Sequence, residues 1–404
     1  MRIFNLELKN IGPFKSAACT FRDEDDEGGN VTIITGLNGT GKSVIIDAIR
    51  SLLLGPYSTE IERNIIQDKN DFLIKASVNY GQKTFELIGN QLYHDRGIQT
   101  NDIDLYHHIY SELKFTSKWI LDYWSSRINR DSYKIESIKA INPKTYLKKS
   151  LIGNYTNSDI TQIICFLDYL SDSQNDKERA LGGFLFKNLI EILNSCLTDS
   201  KFSHVSRSTL DPIISTQYGE VTLDKLSSGN LFLIQKMMSL LTKAYSVYSL
   251  YGGNVEDIFN IPGLLLIDEA ENHLHPDWQK KLLNNILHFF PNLQIILTTH
   301  SPFIVSSIEK ARILVTKFEN GSSTIIDATD DYSNMPIEEI LRTSLFDTNS
   351  FNTTISDLLL ERKKALSENN DKKVKNIEEE LKKINPEYFS YLDLNTLLSE
   401  AIKK

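Results

Sequence analysis

Eight residues near the start of the chain, Gly36-Leu37-Asn38-Gly39-Thr40-Gly41-Lys42-Ser43, have the composition and spacing of a loop that wraps phosphate. The three glycines let backbone N–H groups crowd around phosphate oxygens with no Cβ in the way. Lys42 supplies a positive charge to the outer phosphates, and the Ser43 hydroxyl can ligate Mg²⁺. A helix beginning at Ser43 would aim its positive end at the same anion. A chance Gly-rich turn needs no particular flanks, whereas a phosphate loop needs a strand before it and a helix after it. "VTIIT" (31–35) and "SVIIDAIRSLLL" (43–54) supply both. The expected nucleotide contacts are Asn38, Gly39, Thr40, Gly41, Lys42, Ser43 and Val44.

Holding phosphate is not cleaving it; a metal and a water must also be placed. "LLLIDE" (264–269) carries a buried apolar run into two carboxylates. Asp268 is expected at the strand's C-terminal end, where open α/β sheets bind ligands, and there it can share the Mg²⁺ shell with Ser43. Glu269 is then placed to accept the proton of an attacking water. The other reading is an acidic strand end that merely caps the next helix. "TTHSP" puts His300 at the end of a further strand, from which it can reach the γ-phosphate. Glu269, His300 and Lys42 are the expected catalytic residues. His273 and His275 in "ENHLHPDW" invite a metal reading, but a loop across a subunit boundary suits them better.

These groups need a frame. Residues 2–8 and 17–21 alternate like strands, as does 72–89. "GLLLIDEA" and "QIILTTH", joined by the helix "PDWQKKLLNNILHFF", make a βαβ unit. The fold class expected is α/β: a P-loop NTPase head with a β-rich N-terminal part, a helical insertion and a C-terminal helical hairpin. The divisions are 1–125 and 206–350 for the two halves of the head, 126–205 for the insertion and 351–404 for the hairpin. The hairpin has a thin apolar seam at Val374, Ile377, Leu381 and Ile384, so it should pack on a neighbour.

The bulk properties narrow the class. The 404 residues carry a formal net charge of −9, which argues against a wholly basic nucleic-acid binder. Three cysteines without motif spacing suggest neither a disulfide framework nor a zinc site and fit a cytoplasmic location. No apolar run reaches the roughly 18 residues of a membrane span. Residues 127–150 concentrate Arg127, Arg130, Lys134, Lys139, Lys144, Lys148 and Lys149, with Tyr133 and Tyr146 between them. They form either a surface for nucleic acid or an acidic partner, or a solvated helical face.

"GLNGTGKS", "LSSGN" (226–230), "LLLIDEAENHLHP" and "ILTTHSP", in this order, resemble the ABC-type ATPases of the SMC/RecF/OLD branch. The OLD-like ATPases of bacterial anti-phage systems, the Septu type among them, are the most similar in layout. The resemblance implies ATP and Mg²⁺ as cofactors. It also implies Lys15, and Asn10 in "LELKNIGPFKS", near the nucleotide. Read alone, Ser227 and Ser228 cap a helix. In the resembled family Ser227, Ser228 and Gly229 face the γ-phosphate held by a second copy, so a homo-oligomer with sites completed in trans is implied. The signature reads Ser-Ser-Gly-Asn in place of the common Ser-Gly-Gly-Gln. A Q-loop glutamine is missing: Ser125, Ser126 and Arg127 stand where it belongs, and Gln67 is a weaker candidate. About a hundred residues follow His300, and Asp327, Asp330 and Asp331 read as a solvated turn, so no TOPRIM nuclease is expected. The function implied is an ATPase that controls a separate effector, an HNH nuclease in the Septu case, with DNA as a further candidate partner. A RecF-like repair ATPase is the alternative; a transporter subunit is a third reading.

Overall fold

The computed structural model describes residues 1–23, 30–58, 65–80, 83–92, 97–101, 118–127, 131–148, 150–153, 155–343, 353–368 and 370–392. Arg130 and Lys149 of the basic segment therefore lie outside the described residues. The chain divides into two compact units, Met1–Ile340 and Leu341–Lys404.

The first unit is organised by a six-stranded sheet. Its strands are β3 (Val31–Gly36), β7 (Ile120–Trp124), β11 (Gly263–Ile267), β12 (Leu293–Thr298), β13 (Ala311–Glu319) and β14 (Ser322–Asp327). They run in the order β14-β13-β3-β12-β11-β7, parallel throughout except β14. Strands β3, β7, β11 and β12 are buried along their whole length, as parallel strands covered on both faces must be. A second sheet, antiparallel, has the order β2-β1-β4-β5-β6, with β1 at Arg2–Ile11, β2 at Phe14–Thr20, β4 at Leu73–Tyr80, β5 at Lys83–Leu92 and β6 at Ile98–Thr100.

Helix α1 (Lys42–Leu54) lies between the two sheets. Its Ile45, Ile46, Ile49, Leu52 and Leu53 share one core with Leu6, Leu8, Ile74 and Val78 of the antiparallel sheet and with Ile34, Leu264, Leu266 and Ile296 of the parallel one. The phosphate loop is thus anchored at both ends in core.

Among the described residues of the basic segment, helix forms only at α2 (Pro143–Lys148); residues 131–142 form neither helix nor strand. Two longer helices follow, α3 (Asn157–Ser171) and α4 (Asp176–Ser195). A full capping box starts α3, in which Thr156 accepts from the Asp159 N–H and Asp159 accepts from the Thr156 N–H. The helices cross closely at Gly182, where a Cβ would stand 2.4 Å from the Leu170 carbonyl carbon. Strand structure resumes at Ser200, earlier than helical periodicity implies, as a three-stranded sheet of β8 (Ser200–Ser206), β9 (Asp211–Thr216) and β10 (Gly219–Thr222). The long helix α5 (Ser228–Tyr251) is buried almost all round. Helix α6 (Pro276–Phe289) buries one face through Leu282, Leu283, Ile286 and Phe289.

The second unit is a pair of helices, Thr353–Ser367 and Asp371–Ile384. Ile355, Ile377, Leu381, Phe389 and Leu392 form its core, and Arg362 pairs with the buried Glu378 at 2.6 Å. Val374 is buried too, but Ile384 is 43% exposed and falls outside the expected seam.

Candidate nucleotide site

The phosphate loop leaves β3 at Gly36, where a Cβ would stand 2.3 Å from the Thr316 carbonyl oxygen of β13. At Gly41 the backbone is left-handed (φ 100°), and a Cβ would meet Pro13 and Phe14 at 2.6 Å. Both positions therefore exclude any side chain, one through a neighbouring strand and one through the β1–β2 turn. Thr40 ties the loop down, donating to the Leu37 carbonyl at 2.8 Å and sharing a 2.6 Å bond with the Thr316 hydroxyl. Asn38 and Gly39 form the exposed tip. Val44, the first residue past the motif, supports the β1–β2 turn at Gly12, where a Cβ would meet it at 2.7 Å.

Lys42 is folded over its own loop, its ammonium donating to the Gly36 and Leu37 carbonyls at 3.0 and 2.8 Å. Burial pushes it down to about 8, against the pull of Glu271, Glu269 and Asp268.

The strand ends supply the acidic side. Ser43 donates to Asp268 Oδ1 at 2.8 Å across 225 residues of sequence. The Thr298 hydroxyl donates to the same oxygen at 2.7 Å and accepts the Glu269 N–H at 2.8 Å, while the Asp268 N–H reaches the Trp124 carbonyl at 2.9 Å. One threonine on β12 thus orders both acidic residues that follow β11. Glu269 takes a left-handed φ of 52°, rare outside glycine, and Asn272 holds its carboxylate at 2.6 Å. Mg²⁺ fits Ser43 and Asp268: a hydroxyl and a carboxylate, hard oxygen donors, already face each other, and this ion takes its remaining ligands from phosphates and water.

Beyond them Glu271 accepts the Thr299 hydroxyl at 2.7 Å and the His300 N–H at 2.6 Å. The His300 ring is pushed below its usual range by burial and by Lys42, which favours its neutral form. Asp268, Glu269 and His300 thus stand around Lys42, beside Ser43.

Other expected residues lie apart from this cluster. Ser227 caps α5, accepting from the Asn230 N–H, and Ser227 and Ser228 are exposed. They face grooves that contain none of the phosphate-loop residues. Gly229 packs on the loop after β11, where a Cβ would stand 2.8 Å from the His273 carbonyl oxygen. His273 is itself left-handed (φ 66°), and its ring bonds the Ser126 carbonyl at 3.1 Å. Among the described residues no group of three or more His, Cys, Asp or Glu could hold a metal.

The Lys15 side chain is exposed, and its backbone N–H donates to Ser322 at 3.0 Å. Asn10 turns away to the Asp71 carbonyl at 2.7 Å. Gln67 donates to the Gly12 carbonyl and so braces the β1–β2 turn. Asp327 caps the short turn that holds Asp330 and Asp331, accepting from the Thr329 N–H at 3.1 Å. Of the basic segment, Arg127 and Lys134 line one groove together with Asp131, Asp211 and Asp224, and Arg127 lines a separate cavity as well.

Sequence reasoning missed Thr298 as an organiser, Thr316 as the brace of the loop, and Glu271. The spacing in "DEAEN" signals Glu271 only once Thr299 is known to lie beside it. No signal links Thr40 to Thr316, 276 residues away.

Among the described residues no helix is long and apolar enough to cross a membrane. The Septu protein PtuA of Bacillus thuringiensis is 25% identical over 399 residues, covering 92% of this chain and 91% of its own. The retron Vc95 "probable ATPase" of Vibrio cholerae serotype O1 biovar El Tor is 22% identical over 389 residues, covering 78% of this chain and 73% of its own. Among solved structures, the SMC head bound to the C-winged helix domain of ScpA covers 85% of this chain and 100% of its own, at 14% identity and a TM-score of 0.49. A family model described as "AAA domain, putative AbiEii toxin, Type IV TA system" matches residues 31–306. That span is more than half of the chain and runs from the phosphate-loop strand past His300, so this P-loop protein with ABC-type motifs belongs to that AAA-domain ATPase family.

Proposed function

We propose that the chain is the Mg²⁺-dependent ATPase subunit of a bacterial anti-phage defence system, acting as a homo-oligomer that controls a separately encoded effector nuclease, of HNH type on the Septu resemblance. The observation that carries the oligomer is the separation of two half-sites. Lys42, Ser43, Asp268, Glu269 and His300 form one connected wall. The exposed Ser227, Ser228 and the α5 N-terminus form another, facing grooves that none of those five residues lines. Two copies facing each other would close each site with the helix N-terminus of the other, a favourable place for a γ-phosphate. The similarity to a Septu protein and a retron ATPase supports the defence setting.

In this reading the loop N–H groups and Lys42 hold the phosphates, and Ser43 and Asp268 hold the metal. When bound, Mg²⁺ neutralises charge on the β- and γ-phosphate oxygens. Glu269, fixed by Asn272 and by its own backbone bond to Thr298, accepts the proton of the attacking water. The neutral His300 ring donates to the γ-phosphate or its water. Glu269→Gln should lower turnover by about 10²–10⁴-fold. It should leave ATP binding intact and prolong ATP-driven association, read by light scattering beside phosphate release. Wild-type turnover in this variant would remove Glu269 from the mechanism.

A further inference from the structure

The end of β7 and the middle of α5 enclose a cavity of ≈ 40 Å³ whose walls carry an excess of positive charge. Its charged groups are Arg127, Lys236, Lys243 and the single acid Asp122. Asp122 is 1% exposed and fully engaged. It pairs with Lys243, and it accepts from Ser239 at 2.9 Å, from the Trp124 indole at 3.0 Å and from the Tyr123 N–H at 2.8 Å. The donors of the neighbouring polar groups are used within the protein: the Tyr146 hydroxyl donates to Asp159 at 3.0 Å, Tyr155 bonds Thr242 at 2.8 Å, and Gln235 donates to the Tyr155 carbonyl at 3.1 Å.

Lys236 is different. It is 6% exposed, its ammonium stands 5.2 Å from the Phe232 ring centre, and among the described residues it makes no hydrogen bond or ion pair. Arg127, exposed at the other side, has no ion pair among the described residues either. The acid that attracts Lys236 is Asp122, which is already paired with Lys243, so the buried ammonium is only partly compensated, and an ammonium and a guanidinium offer donors only. The cavity thus holds three cationic side chains against one acid, an imbalance that disfavours a further cation and favours an anion. The volume exceeds the roughly 10–15 Å³ that one water needs. Arginine's fork suits phosphate oxygens better than a spherical ion.

We infer that this cavity is a second anion site, separate from the phosphate loop, which takes a phosphate-class oxyanion between Lys236 and Arg127. No phosphate-loop residue lines it. A bound oxyanion links the segment after β7 to α5, the helix whose N-terminus carries Ser227 and Ser228. The site thus gives that helix an input distinct from the nucleotide. The anion is either free phosphate or a phosphate carried on a nucleoside.

The test uses the full chain with Lys42→Ala, which removes phosphate binding at the loop. Inorganic phosphate is titrated at constant ionic strength while the melting temperature is read, with sulfate as a second probe and adenosine monophosphate as a third. A saturable rise in melting temperature is expected, lost in both Lys42→Ala/Lys236→Met and Lys42→Ala/Arg127→Met. The Arg127 variant, at an exposed position, keeps the test valid should the Lys236 variant misfold. A response to the monophosphate with the same dependence assigns a nucleoside-borne phosphate; a response to the inorganic ion alone assigns the free anion. No saturable rise, or one that persists in the Arg127 variant, overturns the site.

Discussion

Glu271 holds His300 by its backbone and not by its ring, one carboxylate oxygen accepting the His300 N–H at 2.6 Å and the other the neighbouring Thr299 hydroxyl at 2.7 Å. Among the described residues the ring itself makes no hydrogen bond, while the turn that carries it is fixed to the loop after β11. The ends of two neighbouring strands, β11 and β12, are thereby locked to each other. Removing the carboxylate should loosen the geometry more than the binding. Glu271→Ala is expected to lower kcat by about 10–100-fold, the scale of a displacement near 1 Å. KM should move far less, and Glu271→Gln should lie between, since the amide keeps one acceptor. Steady-state hydrolysis on folded protein reads this split; a KM effect with unchanged kcat would point to a binding role.

Lys42 gives a pH signature. Burial brings its ammonium down to about 8 in the free chain, and the phosphates of a nucleotide raise it again. Above that value the free chain has lost the proton that the complex keeps, so binding takes up a proton. Affinity should therefore fall with rising pH, by up to roughly tenfold per unit, until the pKa of the complex is reached. Calorimetry at pH 8.5 in two buffers of different ionisation heat measures the uptake directly; equal heats would contradict it.

Ser228 separates a helix cap from half of an active site. It is exposed, and the cap itself is made by Ser227. Ser228→Arg should therefore leave the monomer folded and ATP binding largely intact, while ATP-dependent association and turnover are lost. Sedimentation with and without nucleotide checks this, and normal ATP-driven assembly of the variant would reduce the stretch to a cap.

The Asp122–Lys243 pair is buried at both ends, with side chains 2% and 5% exposed. Lys243→Met should leave the Asp122 charge without its cation and destabilise the fold by about 3–5 kcal/mol. Asp122→Leu together with Lys243→Met removes both charges and should recover much of that loss. Denaturant melts of the single and double variants measure the difference. A double variant no more stable than the single would show that packing, not charge, sets the cost.

The strands that carry the motifs were legible because buried parallel strands read as unbroken apolar runs. "VTIIT", "LLLI" and "QIILT" each end where a glycine or a polar residue begins. Helix α1 was legible from its apolar spacing behind the loop. The braces were not. Thr316 sits on β13, whose place beside β3 is set by sheet order and not by local pattern. Strand β8, "SKFSHVS", has only two fully buried positions and so lacks a clear period of two. The acids that share a groove with Lys134, Asp211 of β9 and Asp224 of the loop before α5, are far from it in sequence and were not legible beside it.

The place of β3 in the sheet also has a meaning in time. Its two hydrogen-bonded neighbours are β12 and β13, which begin roughly 260 residues or more after β3 ends. At about 5–20 residues per second, a ribosome leaves this strand, buried along its whole length in the fold, without a partner for some tens of seconds. The chain emerging from the ribosome therefore carries a phosphate-loop sequence long before it has a phosphate loop. A truncated product ending before β12 would have Lys42 but neither of the two strands that pair with β3. The same delay makes the unpaired strand an early target for chaperones, and synthesis speed through residues 36–293 a determinant of yield.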